Sequence, residues 1–403
     1  MSATLCSARE RSEEAAFHLL PETQAMGDRL TMILTEHHVP FETRARAAAP
    51  LIVILGSQKH SRIAALLRHI LTEGERRAVS VFSGDGSEFP AVRLLDEWWR
   101  VHETAWFGKA LSENRFVSWF QPVVDTAQHR VIGHECLIRL QHGRCWSGAE
   151  ILDAAWVRDE IHVFDAYARD LAIRSAAQLS VPQESAHGIY FVNFMPSSMH
   201  NPELCLKTTQ QTLRDCGLQP RNIVFEVVES ELVHDRAHLH RICDLYRSHG
   251  FGLALDDVGT GAGSLQMVQD LQPNYVKLAT SLVQNVEQPL YAATIRKQVE
   301  FADRLGVTLV AKGVERPEVM EDLWLLGVQT MQGYLFGSPA PQLYSHQNDL
   351  SNLGAAMATA GTAGTAGTAG TAGTAGTAGT AGTINSVQMT RAERGATPAL
   401  AIN

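Results

Sequence analysis

Positive charge is in short supply in this sequence: 34 Lys and Arg stand against 43 Asp and Glu, a formal net charge of −9. No global cationic field is available to attract a polyanion, which argues against a binder of nucleic-acid polymers. Metal-binding cysteine pairs are missing too. The six cysteines, Cys6, Cys136, Cys145, Cys205, Cys216 and Cys243, form no CxxC spacing that would prepare a zinc or redox centre, and are expected as reduced core thiols. No stretch approaches the ~20 apolar residues of a membrane span. The opening MSATLCSARERSEEAAF holds no apolar run of signal-peptide length, so a cytoplasmic protein without a membrane role is the expectation.

Three regions differ in texture. Residues 1–95 are expected to form a small α/β segment, a remnant of a regulatory domain. Its first 48 residues read as irregular helix with an amphipathic stretch at 25–34. A buried strand at 51–55 (LIVIL), a helical pattern at 63–71 and a second strand at 78–82 (AVSVF) then make a βαβ-like fragment. The loop Gly56-Ser57-Gln58-Lys59-His60 matches neither phosphate-loop pattern. A helix at 96–111 with Trp98, Trp99 and Trp106 joins this segment to the main domain, at 96–345. Residues 346–403 include an uninterrupted Thr-Ala-Gly repeat at 359–382, with glycine at every third position but no proline. Such a segment has nothing to pack and reads as a disordered tail.

The main domain carries the chemistry. Short apolar runs alternate with helical patterns, and most end in a polar residue: Asn193, Glu226, the doublet Asp256-Asp257, Lys277, Lys312 and Gln332, with Glu135 after the second run. About eight such units favour a TIM-like (β/α)8 barrel, because only a closed barrel brings all those strand ends to one mouth. A lone acid at a strand end is more often a helix cap. Four converging acids (Glu135, Glu226, Asp256, Asp257) are different, because their mutual repulsion calls for cations. Oxygen donors select hard ions, Mg2+ or Mn2+ with Ca2+ as competitor. The doublet is also a natural source of a ligand shared by two metals. The glycine-rich stretch 258–265 after it suits a lid, or an ordinary strand-to-helix turn.

Over residues 104–345 these motifs resemble the EAL domains that act on the bacterial second messenger cyclic di-GMP. The likeness runs through Phe120-Gln121-Pro122-Val123-Val124-Asp125, Glu135-Cys136-Leu137-Ile138-Arg139, Asn193-Phe194-Met195-Pro196, Glu226-Val227-Val228-Glu229-Ser230, Asp256-Asp257-Val258-Gly259-Thr260-Gly261, Lys277, Gly313-Val314-Glu315 and Gln332-Gly333-Tyr334-Leu335-Phe336. It implies a barrel whose first strand runs against the others, often dimeric, and a hydrolase that opens cyclic di-GMP to linear pGpG with two Mg2+ or Mn2+ ions. By that resemblance Glu135, Asn193, Glu226 and Asp256 hold the first metal, and Asp256 bridges to a second beside Asp257. Lys277 orients the attacking water, Glu229 braces the glycine-rich lid and Gln332 supports the water or metal shell. Arg139 and Gln121 bind substrate, Arg139 through a phosphate. A homodimer or a protein partner is implied as well.

Two positions depart from the family pattern. Where the family has Ala-Glu-Gly-Val-Glu, this chain has Ala311-Lys312-Gly313-Val314-Glu315, and where it has Lys-x-Asp, this chain has Lys277-Leu278-Ala279. A glutamate that binds the second metal is therefore a lysine, and an ammonium ~4 Å from a divalent ion repels it by ~2 kcal/mol even at the permittivity of water. The expectation is a cyclic di-GMP binder with weak or absent hydrolysis. The alternative is an active phosphodiesterase in which Glu315 fills in. Lys312 has two placements open to it: reaching the carboxylates or the ligand phosphate as a tethered cation, or turning to solvent.

Overall fold

The computed structural model describes residues 17–55, 60–83, 92–142, 144–179, 188–228, 235–259 and 262–344. The Thr-Ala-Gly tail, Gly56–Lys59 of the small loop and Glu229 lie outside the described residues. Among those described, no helix is long and apolar enough to cross a membrane. The chain divides into two compact units, 1–114 with 153–160, and 115–152 with 161–403.

The first unit is a five-stranded sheet of β1 (Phe17–Pro21), β2 (Phe41–Arg44), β3 (Leu51–Ile54), β4 (Val79–Ser83) and β5 (Arg93–Leu94), in the order β2-β3-β1-β4-β5. Every neighbouring pair is antiparallel. The expected strands at 51–55 and 78–82 are present as β3 and β4, and the amphipathic stretch is the helix Gln24–Glu36. The irregular-helix reading of the first 48 residues fails at Phe17–Pro21, which is the central strand, and at Phe41–Arg44, which is β2. β1 lies between β3 and β4, so the βαβ fragment is a split one. Phe17 and Leu19 on this strand are completely buried with Leu30, Ile52, Val79 and Val81. Five residues carry too short a period to announce a strand, and only the sheet around them decides it. The expected helix at 96–111 is two, Leu95–Glu103 and Ala105–Ser112, parted at Thr104, whose hydroxyl donates to the carbonyls of Arg100 and Val101. Trp98 packs on Phe17 at 4.8 Å between ring centroids, in core fashion.

The second unit is an eight-stranded closed barrel. Its strands are β6 (Phe116–Asp125), β7 (Arg130–His142), β9 (Ile189–Asn193), β10 (Ile223–Val228), β11 (Gly252–Val258), β12 (Tyr275–Leu278), β13 (Thr308–Ala311) and β14 (Thr330–Met331), with β8 (Arg144–Trp146) added outside β7. The order around the barrel is β6-β14-β13-β12-β11-β10-β9-β7, closed by pairing of β7 with β6. β6 is antiparallel to both neighbours, and the remaining barrel pairs are parallel. The reason is local. β6 and β7 are joined by residues 126–129 alone, in a turn where the Asp125 carboxylate accepts the N–H groups of Ala127 and Gln128 at 3.0 Å each. A link that short can only make a hairpin, whereas parallel neighbours need a helical crossover. Each later strand is reached through such a helix, among them Ile161–Leu179, Pro202–Cys216, Arg236–Ser248 and Pro289–Leu305.

Inside the barrel Val123, Phe191, Val224, Ala254 and Val310 form an apolar layer. Side chains two apart on a strand share a face. The next inward position toward the mouth is therefore Asn193 after Phe191, Glu226 after Val224, Asp256 after Ala254, Lys277 after Tyr275 and Lys312 after Val310. On β6, which runs the other way, it is Gln121, two residues before Val123. The pattern puts a polar tier directly on an apolar floor. Of the described cysteines, Cys136 and Cys243 are buried as expected of core thiols, whereas Cys205 and Cys216 are half-buried and Cys145 is exposed.

Candidate functional site

The polar tier sits where the strands end. Glu226 is registered beside Asn193 across β10 and β9, and Gln121 faces Glu135 across the β6–β7 hairpin. Two glycines fix the other rim. A Cβ on Gly333 would stand 2.0 Å from the Val314 carbonyl oxygen, and one on Gly313, at φ +72°, would stand 2.5 Å from Thr280. This close approach lets the Val314 N–H donate to the Gln332 carbonyl at 3.1 Å, stitching the residue after Lys312–Gly313 to the loop that carries Gln332.

The tier is an ion-pair net. Lys277 has no exposed surface, and its ammonium lies 2.8 Å from Glu135 Oε2 and in contact with Glu226. The same Glu135 oxygen accepts from Gln332 Nε2 at 2.7 Å, and Lys277 lies over the Phe191 ring of the apolar floor at 5.0 Å. Lys312 Nζ stands 2.8 Å from both carboxylate oxygens of Asp256. Of its two open placements, turning to solvent is therefore excluded. Burial raises the Glu135 carboxyl, but Lys277 and then Lys312 outweigh it and hold the group low, at about 2. Glu226 goes the other way. Burial, opposed by Lys277 and helped by Glu135 and Asp256, pushes it up to about 8. Burial lowers the Lys277 ammonium, but Glu135 and Glu226 reverse this and raise it. Lys312 behaves alike: burial lowers it, and Asp256 and Glu135 raise it.

The sequence candidates are thus largely assembled. Gln121, Glu135, Arg139, Asp256, Lys312 and Gln332 line one cavity of about 290 Å³, with Glu315 and Tyr334 also in its wall. Gln121 is engaged internally at both ends of its amide, donating to the Gly337 carbonyl at 3.2 Å and accepting from Gln332 at 3.3 Å. Arg139 is buried, anchored on the Ile138 carbonyl and on the face of Trp119. Asp257 sits at a register shift of β11 in the left-handed region, φ 60°, with its N–H on Asp256 Oδ1 at 2.8 Å. This bulge turns the second aspartate of the doublet out of the regular alternation. Glu229 and Thr260–Gly261 of the glycine-rich stretch lie outside the described residues.

One supporting pair is absent from the sequence candidates. Asp165 and Arg169, buried on the helix Ile161–Leu179, bond at 3.0 Å, and Asp165 accepts the Met195 N–H at 3.2 Å. Arg169 also lies over the Phe194 ring. The pair braces the chain directly after Asn193. Its only signal in the sequence is an Asp and an Arg four apart on a helix, a spacing shared by many exposed pairs.

The donor set was expected to hold divalent ions. Among the described residues, no three His, Cys, Asp or Glu side chains are arranged to hold a metal ion as they stand. Lys277 and Lys312 lie between the carboxylates. Yet Glu226, whose Oε1 is paired with Lys277, has its other oxygen buried without a hydrogen bond, an acceptor that suits a cation beside Asn193. The residues fit one ion at most, held by Glu135, Asn193 and Glu226 in competition with Lys277. A second ion at Asp256 does not fit, because Lys312 covers both of its oxygens.

Comparison with known proteins agrees with the barrel. The family described as EAL domain matches residues 105–339, more than half of the chain. The chain belongs to the EAL domain family. RocR of Pseudomonas aeruginosa, named a cyclic di-GMP phosphodiesterase, is 30% identical over 244 residues, which cover 58% of this EAL chain and 60% of RocR. The match thus spans less than two thirds of that relative. A standalone EAL protein from Vibrio cholerae O395, solved in its c-di-GMP-bound form, superposes with a TM-score of 0.52 at 30% identity, covering 58% of this chain and 95% of that one. The PaMucR phosphodiesterase in complex with c-di-GMP gives 0.54 at 25% identity, covering 60% and 97%.

Proposed function

We propose that this EAL chain binds cyclic di-GMP in the barrel mouth and hydrolyses it weakly or not at all. The observation that carries this is Lys312, an ammonium 2.8 Å from both oxygens of Asp256 inside the cavity wall. Binding is supported by the two c-di-GMP complexes it resembles and by the cationic groups of Arg139 and Lys312, which line one cavity and suit phosphodiester oxygens. A divalent ion at Glu226 would supply charge for an oxygen developing on phosphorus. The chain's own groups hold Glu135 in place through Lys277 and Gln332, and orient the guanidinium of Arg139. Ala279 offers no carboxylate beside Lys277.

In this reading residues 96–345 are the working domain in the cytoplasm, residues 1–95 are a regulatory segment, and a homodimer or a protein partner is the assembly. A second reading is an active phosphodiesterase, favoured by one observation: Glu315 lies in the wall of the same cavity and is available as a substitute carboxylate. Incubating the purified chain with cyclic di-GMP and MnCl2, while reading both pGpG release and ligand binding, separates the two. Binding with little pGpG is the expected result. Turnover at ordinary enzyme rates, ~10 s⁻¹, would establish the second reading, and neither signal would remove both.

A further inference from the structure

Three buried carboxylates, Glu135, Glu226 and Asp256, meet at the barrel mouth with exposures of 5%, 1% and 5%. Lys277 faces two of them. That ammonium leaves Asp256 without a partner cation. Lys312 supplies one. It places its ammonium symmetrically on Asp256, the carboxylate that Lys277 does not pair, and its side chain is only 14% exposed. Its backbone is held as well, since Gly313 packs on Thr280 and Val314 bonds to Gln332.

We propose that Lys312 is a built-in counter-cation: its ammonium replaces a divalent ion at Asp256, so that the mouth keeps its carboxylates together and receives a phosphodiester without metal at that position. Oxygens filled by an ammonium cannot also ligate Mg2+ at its required ~2.0–2.1 Å, and the two cations repel. What room is left for a metal lies at the unbonded oxygen of Glu226 rather than at Asp256. The metal half of this inference stands on the geometry alone, while the ligand half rests on the cyclic di-GMP reading.

The test compares the full chain with its Lys312→Glu and Lys312→Met variants. Calorimetry with MnCl2 alone gives the number of ions bound, thermal unfolding is followed in EDTA and in MnCl2, and cyclic di-GMP binding is measured in both. The parent is expected to bind at most one Mn2+, and its dinucleotide Kd should differ by less than about threefold between EDTA and MnCl2. Lys312→Glu should bind one Mn2+ more than the parent, lose thermal stability in EDTA and recover it in MnCl2. Its dinucleotide affinity should fall about tenfold or more in EDTA. Lys312→Met should lose stability in EDTA and regain part of it with Mn2+, and it carries the comparison if the glutamate variant does not fold. Two Mn2+ ions on the parent, or a Lys312→Met chain as stable as the parent in EDTA, would overturn the counter-cation. Should the Mn2+ results come out as expected while the parent binds no dinucleotide, the counter-cation stands and the cyclic di-GMP reading falls.

Discussion

The ammonium of Lys277 lies 2.8 Å from Glu135 Oε2 with no surface open to solvent, and it touches Glu226 at the same time. One cation thereby links β7 and β10, which β9 separates, at the level where the apolar floor gives way to the polar tier. Removing it would leave buried carboxylates facing one another. Lys277→Met is expected to cost ~3–5 kcal/mol in urea unfolding, the usual penalty for stranding a buried charge. Adding Glu226→Gln should return part of that loss. Equal stability of Lys277→Met and the parent would mean that the net carries no structural weight.

The brace behind Asn193 makes a second expectation. Asp165→Leu strands the buried guanidinium of Arg169 and removes the acceptor of the Met195 N–H. A loss of ~3–5 kcal/mol is expected, while Asp165→Asn, which retains an acceptor, should lose less. Because the chain after Asn193 would loosen, Asp165→Asn should also weaken cyclic di-GMP binding. Denaturant midpoints and binding isotherms for the two variants check this ordering.

Gly333→Ala probes the rim. Its added methyl would lie 2.0 Å from the Val314 carbonyl oxygen, so backbone must move. Overpacking of this kind costs ~1–3 kcal/mol or more. The displaced loop carries Gln332, so the variant should also lose ligand affinity, whereas Gly74→Ala, with nothing within 4 Å of its added methyl, should not. Matched thermal melts and titrations of the two variants are the measurement.

A pH dependence is expected at the start of the helix Gly148–Val157. Glu150 accepts from Arg144 and from the N–H and hydroxyl of Ser147, and the bond from Arg144, followed by that from the Ser147 backbone, holds its carboxyl low, at about 2. A depressed folded-state value means the stabilisation is complete above the ordinary carboxylate range near 4.5 and is lost as pH falls through about 2. Since the side chain is 40% exposed, the gain is small, ~0.5–1 kcal/mol. Thermal unfolding of Glu150→Gln should lie below the parent at pH 7, with the gap closing as pH drops from 4.5 towards 2. A constant gap would rule out the carboxylate as its source.

How far all this could be read in advance differs by residue. The barrel was legible because apolar runs alternate with helical patterns, and the polar residues Glu135, Asn193, Glu226, Asp256, Lys277 and Gln332 fall at strand ends, a feature of local order in the chain. β1 was not legible. Phe17–Pro21 is a strand because β3 and β4 flank it, not because of any periodicity in five residues. The Asp165–Arg169 brace was equally hidden, since burial decides its meaning and a helix spacing does not reveal burial.

By itself, the sequence determined the type of barrel, the identity of the charged groups at its mouth and the presence of a lysine at 312 where an acid is usual. Only the tertiary structure decided whom that lysine serves. A side chain with four methylenes can reach inward or outward at nearly equal conformational cost. The choice falls to the field of carboxylates that strands far apart in the chain, β7, β10 and β11, bring within ion-pair distance of Lys277 and Lys312.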